Sequence, residues 1–332
     1  MGIMKNENTP QRPDGLLELV QKVKENYIKP TPVRKRGKPR KYSALSILLI
    51  AVVAVVMKTF KSAELHRLIS KDEKLRKEVE LEELPDRTTI GRRLETVLME
   101  AEQQVNATGQ KIVEEVKPAG EQPQASAVDG RMYQAIGPRW HKKDREQGRI
   151  PLELRNVDTE SSWSKSGYRG WVQGYRLMLQ GLVFPYPVPI FAAWRPNNEG
   201  ESTIVAKALA DGSLPITDLL LADDAFGGEE LTYTYSERGG WLLTPKELPK
   251  VRKSWKYDLF SYRKETIELL FQRIIQSLDL KSCPVKGLNH NGAFVIATVW
   301  IYQIVFLTNY RLGKPPGHIK EVIEQARWRL TS

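Results

Sequence analysis

The chain has little of what most metal-binding or exported proteins rely on. Its 332 residues include one cysteine, Cys283. An internal disulfide is excluded, and so is a cysteine-built zinc site. The four histidines, His66, His141, His290 and His318, are scattered singly, with no pair at ligand spacing. Hard oxygen ligands from Asp and Glu are the metal chemistry left open. The N-terminus, MGIMKNENTPQRPDG, lacks the apolar core of an export signal. Long apolar runs are scarce too. Ala44 to Met57 falls short of the ~20 residues that a membrane-spanning helix requires. Gly292 to Tyr310 comes nearer but carries Thr298, Gln303 and Thr308, and reads as a buried core helix. A reducing cytosol is the expected compartment, with no membrane partner. Acids are the minority charge. Asp and Glu number 40 against 51 Lys and Arg, a net charge of +11, which favours an anionic partner. A content of 41% hydrophobic and 27% charged residues is that of an ordinary globular protein.

The first third reads as helical. GLLELVQKVKENYIK has apolar residues at helical spacing, and Ser43 to Phe60 is a buried helix. SAELHRLISKDEKLRKEV is amphipathic. The segment from Leu84 to Val116 predicts one long helix, started by Pro85 and Asp86, with a stripe of Ile90, Leu94, Val97, Ala101 and Val105. A linker rich in Pro, Gly and Gln follows, Lys117 to Ser126. This places a helical domain over 1–118 and a second domain over 119–332. In the second, ASAVDGRMYQAIG, WVQGYRLMLQGLVF and VPIFAAWRP predict three successive strands, with an irregular polar stretch after the first. A helix in GESTIVAKALADG leads to a fourth strand, TDLLLADDAF, and GGWLLTPK is a short fifth. YRKETIELLFQRIIQSLDL predicts an amphipathic helix. Three sequential strands suit an antiparallel meander, and a strand reached through a helical crossover suits a parallel addition. The expected fold class is α/β: a mixed five-stranded sheet flanked by helices, behind an all-α N-terminal domain.

Acids stand at the ends of these strands. Asp129 lies in the first, and Asp223 and Asp224 close the fourth. If the first and fourth strands are parallel neighbours, these carboxylates meet at one edge of the core. Glu265 and Glu268 lie a helical turn apart on the amphipathic helix and can join them. Converging carboxylates repel and raise one another's pKa unless a cation lies between them. Mg²⁺ suits such oxygen ligands, and two such ions can serve both oxygens of a phosphodiester displacement. Taken singly, each acid has a plainer reading: Asp129-Gly130 as a turn, Asp223 and Asp224 as a strand end, Glu265 and Glu268 as a solvated face. Their order, with a crossover helix between the first two, is what favours a shared site.

The basic residues cluster as well. Arg34, Lys35, Arg36, Lys38, Arg40 and Lys41 form a run that reads as phosphate contact, or as a solvated linker. Thr88, Thr89, Arg92 and Arg93 open a helix that reads as a recognition helix, or as packing with surface charge. Exposed members of the Trp140, Trp163, Trp171 and Trp255 set can stack on a base, although packing is the simpler reading.

The ordered set AVDG, LLLADDAFGG and YRKETIELLFQRI resembles the DDE transposases of bacterial insertion sequences, with their RNase H-like catalytic core. The resemblance runs over most of the chain and includes GWVQGYRLML, RPNNEGES and the N-terminal helical segment. It implies cleavage at element ends and strand transfer into target DNA, with Mg²⁺ or Mn²⁺, two ions. It implies double-stranded DNA partners, namely terminal inverted repeats and target, a homodimer on DNA, and a nucleoid-associated protein in the cytoplasm. It assigns the catalytic, metal-holding triad to Asp129, Asp223 and Glu268. Asp223 is preferred to Asp224 because Phe226 stands three residues on, where the family has an aromatic; Glu265 is second choice to Glu268. The family signature Tyr-x2-Arg-x3-Glu-x6-Lys, set on Glu268, puts Ser261, Lys264 and Ile275 at its other positions. Only Lys264 keeps the charge, as a DNA contact. Tyr262 and Arg263 stand one residue out of register. That departure leaves open a silent copy that binds DNA without cutting it.

Overall fold

Helices open the chain. In the computed structural model, which describes residues 15–30, 40–118, 120–150, 154, 156–167, 169–247 and 255–327, the first of them is α1 (Gly15–Glu25). α2 (Ala44–Val56) follows, N-capped by the Ser43 hydroxyl and buried from Ser46 to its end. Next are α3 (Ser62–Lys71), α4 (Glu73–Glu78), α5 (Arg87–Leu94) and α6 (Leu98–Glu115). The single long helix expected over 84–116 is therefore two. The Thr96 hydroxyl donates to the Arg93 carbonyl at 2.8 Å, offering the backbone an alternative to the next helical bond. The apolar stripe survives the break because Ile90 and Leu94 on one helix and Ala101 and Val105 on the other are all buried.

The sheet begins with β1 (Ala125–Gln134). A short α7 (Lys142–Glu146) precedes β2 (Ser162–Ser166), then come β3 (Gly170–Leu182) and β4 (Val188–Pro196). α8 (Glu201–Ala210) crosses over to β5 (Leu219–Leu221); α9 (Glu229–Glu237) leads to β6 (Trp241–Leu243). α10 (Trp255–Leu278), α11 (Leu288–Arg311) and α12 (Ile319–Arg327) complete the chain. β3 pairs antiparallel with β1 and with β4, so the three form the expected meander. β1 and β5 are parallel, as are β5 and β6. The order β4-β3-β1-β5-β6, with its antiparallel half and its parallel half, is the RNase H-like arrangement. β2 is a sixth strand that was not expected. It pairs with Gly170–Gly174, before the stretch of β3 that meets β4.

One continuous apolar core joins the N-terminal helices, one face of the sheet and α10 to α12. A smaller core on the opposite face packs Val128, Met178 and Phe191 against Ile204, Val205 and Tyr235. α11 is long and apolar enough to cross a membrane, but 94% of its most apolar window is buried inside the fold. It is the central helix of the large core, as its embedded polar residues suggested. α6 lies directly on β4. A Cβ at Gly109 would stand 1.6 Å from the Ile190 carbonyl oxygen, so only glycine permits this approach.

Candidate metal centre

Strand register places the acids. Ala127 on β1 pairs with Leu221 on β5, in parallel. Two residues further along each strand path stand Asp129 and Asp223, at the same level of the sheet. β5 itself ends at Leu221, earlier than expected, and Asp223 caps a single 3-10 turn, Asp224–Phe226. Its Oδ1 accepts from the Ala225 amide at 3.0 Å, which leaves Oδ2 free to face the site. Asp224 is exposed and turns away, its Oδ1 accepting from the Lys246 amide at 3.3 Å. Of the two adjacent acids, Asp223 is the one that joins Asp129.

A third acid joins them that sequence reading had not singled out. One carboxylate oxygen each from Asp129, Glu201 and Asp223 lie within 4.8 Å of one another, and all three residues are half-buried. Glu201 is the first residue of α8 and reads in the sequence as an ordinary N-terminal helix acid. Only the crossover back to β5 turns it toward Asp129. The signal that could have found it is Gly130. A Cβ there would meet Glu201 Oε1 at 2.6 Å and Met178 Sδ at 2.8 Å, so the missing side chain makes room for the carboxylate.

Glu268 lies on α10, more than half exposed, with Lys264 Nζ 3.9 Å from its Oε1. It is not one of the three clustered acids, but its charge reaches Asp129. Glu265 is fully on the exposed side. Arg263, one of the signature residues out of register, projects into the site instead: its Nη2 stands 3.9 Å from Asp223 Oδ2. Arg176 on β3 is 6% exposed and holds Glu201, with Nε 3.3 Å from Oε1, while its Nη1 donates to the Glu199 carbonyl at 2.7 Å.

Burial is the dominant electrostatic cause here. It raises the Asp129 carboxyl above its usual range; Arg263 and the Gly130 amide oppose it, and Asp223 and Glu268 add to it. Burial likewise pushes Glu201 up to about 7, against the charge of Arg176 and with the help of Asp129 and Asp223. A hard divalent cation among these oxygen donors would remove the penalty that burial puts on ionised Asp129 and Glu201. The residues present therefore fit a metal ion.

The expected DNA contacts fall in several places. Arg34, Lys35, Arg36 and Lys38 lie outside the described residues. Arg40, Lys41 and Arg92 are exposed, with Lys41 paired to Glu83. Arg93 is half-buried and donates to the Tyr42 carbonyl at 3.0 Å and to Thr96 Oγ1 at 3.2 Å. The Thr88 and Thr89 hydroxyls both donate to Asp86, which caps α5. Trp171 is 61% exposed and Trp140 is buried.

No family model matches the chain, and no curated protein matches it. Among solved structures it is similar to the piggyBac transposase in a synaptic complex with hairpin DNA. That match has 11% identity over 96% of this chain and 78% of the other, with a TM-score of 0.43. It is also similar to the Drosophila P element transposase in a strand transfer complex, at 11% identity over 89% and 67%, with a TM-score of 0.24. Likenesses this loose say nothing about activity, which has to come from the site itself.

Proposed function

We propose that this chain is a metal-dependent DNA strand-cleaving and strand-joining enzyme, a transposase of the DDE type from an insertion sequence. The observation that carries the reading is the convergence of Asp129, Glu201 and Asp223, oxygens within 4.8 Å, at one edge of an RNase H-like sheet. The net charge of +11 and the resemblance in the sequence motifs support DNA as the substrate.

In this reading Asp129 and Asp223 hold the cation from adjacent parallel strand paths. Glu201, fixed by Arg176 and admitted by Gly130, completes the inner set. Glu268 approaches from α10 as the third member of the family triad, and Lys264 beside it meets a phosphate. Bound Mg²⁺ or Mn²⁺, two ions when DNA is present, supplies Lewis-acid activation of the attacking oxygen and stabilises the leaving one. The helical residues 1–118 serve as the DNA-end-binding domain and 119–332 as the catalytic domain. Arg34 to Lys41 and Arg92 and Arg93 contribute phosphate contacts on the terminal inverted repeats. Synapsis of two ends calls for a homodimer on DNA, in a cytoplasmic, nucleoid-associated protein.

The test is cleavage of DNA carrying the sequences that flank the gene, with Mg²⁺ or Mn²⁺ and then with EDTA. Metal-dependent cuts at the repeat ends, lost in Asp129→Ala and Asp223→Ala, are expected. Comparing Glu201→Gln with Glu268→Gln then ranks the two glutamates. A second reading, a silent copy that binds ends without cutting, is motivated by Ser261 and Ile275 at signature positions. Binding to the ends with no cut under either metal would favour it.

A further inference from the structure

Arg263 stands beside the three clustered carboxylates without a hydrogen bond to Asp223, the nearest of them. Its side chain is 13% exposed, and its Nη2 to Asp223 Oδ2 distance of 3.9 Å exceeds hydrogen-bond length. Its buried Nε has no hydrogen-bond partner among the described residues. The charge acts on Asp129 and on Glu201 as well, so it serves the cluster rather than one member. The guanidinium carbon stands 5.8 Å from the centre of the Phe260 ring, on the same helix. An arginine locked for structure would make the paired, short hydrogen bonds its fork allows. Here a desolvated guanidinium forgoes them, two residues before exposed Glu265 on the same helix. Arg176 also has an unbonded Nε, 3.3 Å from Glu201 Oε1, but its Nη1 is tied to the Glu199 carbonyl at 2.7 Å.

We infer that Arg263 is a built-in counter-cation, which neutralises the acid cluster while no metal ion is bound and gives way when one binds. The inference rests on the metal reading above. A positive charge fixed beside three ligands repels an incoming cation, so part of the binding free energy goes into displacing it. Guanidinium and metal are then antagonistic partners of the same acids, and weakening one strengthens the other. The fold can thus keep the acids close together before a metal arrives, at some expense in affinity.

The experiment measures Mn²⁺ binding to the full chain by titration calorimetry and by the electron paramagnetic resonance of free Mn²⁺. Melting temperatures are recorded with EDTA and with Mn²⁺. Arg263→Gln should bind Mn²⁺ about tenfold more tightly than wild type. It should melt lower than wild type in EDTA and show the larger rise on adding Mn²⁺. Arg263→Lys, which keeps the charge, should restore wild-type affinity. Arg263→Met, which keeps the stem over Phe260, serves if the Gln variant does not fold. Wild-type binding with equal or weaker affinity in both neutral variants would overturn the inference alone. A lower melting temperature by the same amount with and without Mn²⁺ would also overturn it, leaving a merely structural arginine. No Mn²⁺ bound by any of these proteins would overturn the inference together with the metal reading.

Discussion

The two ends of the meander treat their polar groups in opposite ways. At the β4 edge, α6 lies against the strand and meets its donors with side chains. Asn106 Oδ1 accepts from the Ala192 amide at 3.1 Å. Glu102 Oε1 accepts from the Trp194 amide at 2.7 Å and from Arg195 Nη1 at 2.6 Å. Gln303 from α11 donates to the Pro189 carbonyl at 3.0 Å. Such covering closes a sheet edge that would otherwise recruit another strand. At the β1–β5 end the opposite holds. Three acids crowd together, and an arginine stands off at 3.9 Å. Both regions bury a glutamate whose carboxyl burial raises, Glu102 and Glu201. Glu102 accepts hydrogen bonds from the Trp194 amide and from Arg195, whereas Glu201 faces Arg176 and two other acids. A buried acid with its partners in place is architecture; one crowded by other acids is a site awaiting a cation.

Substitutions can break this contrast. The largest effect is expected at the open end: Asp129→Ala or Asp223→Ala should lower metal-dependent cleavage by a factor on the order of 10³ or more. The same variants should leave the metal-free melting temperature unchanged or raised, because they relieve repulsion. Glu102→Ala at the closed edge should do the reverse. It leaves the Trp194 amide without its acceptor and Arg195 without its acid, and should cost about 1–3 kcal/mol in denaturant unfolding. Gly109→Ala, which drives a methyl into the Ile190 carbonyl, should cost about 3 kcal/mol by the same measurement.

A subtler effect is read by pH at the open end. Glu201 is held at about 7 against an ordinary 4.5, so the native protein binds a proton more tightly than the unfolded chain. Stability without metal should therefore fall as pH rises between those values, on the order of 3 kcal/mol in all, with Arg176, Arg263, Asp129 and Asp223 as its charged surroundings. Glu201→Gln should flatten that slope in urea titrations across the range. The smallest effect lies away from both edges. Arg92→Ala on exposed α5 should weaken binding to DNA only a few-fold and lower the salt slope of the affinity by about 1.

Much of this arrangement was legible in the sequence because it follows from local periodicity. Apolar runs broken by a Pro-Asn turn and a crossover helix are enough to order the strands, and the order puts Asp129 beside Asp223. The choice of Asp223 over Asp224 came from the family resemblance, which places an aromatic where Phe226 stands, and the structure buries that ring. What stayed hidden depends on register and on contacts between distant segments. Ser162–Ser166 has no alternating apolar face, so β2 reads as a loop until β3 offers it an edge. Glu201 is an unremarked helix acid until the return to β5 brings it against Gly130. The break at Glu95 to Val97 is masked because the stripe continues through it. Arg263 was read as a signature residue out of place, while its position on α10 points it at the acids.

The most direct test of the central claim is anomalous diffraction from crystals grown with Mn²⁺. An anomalous peak bridged by the carboxylates of Asp129 and Asp223, absent in crystals of Asp223→Asn, is the result expected. Well-ordered acids at full Mn²⁺ with no peak between them would contradict it.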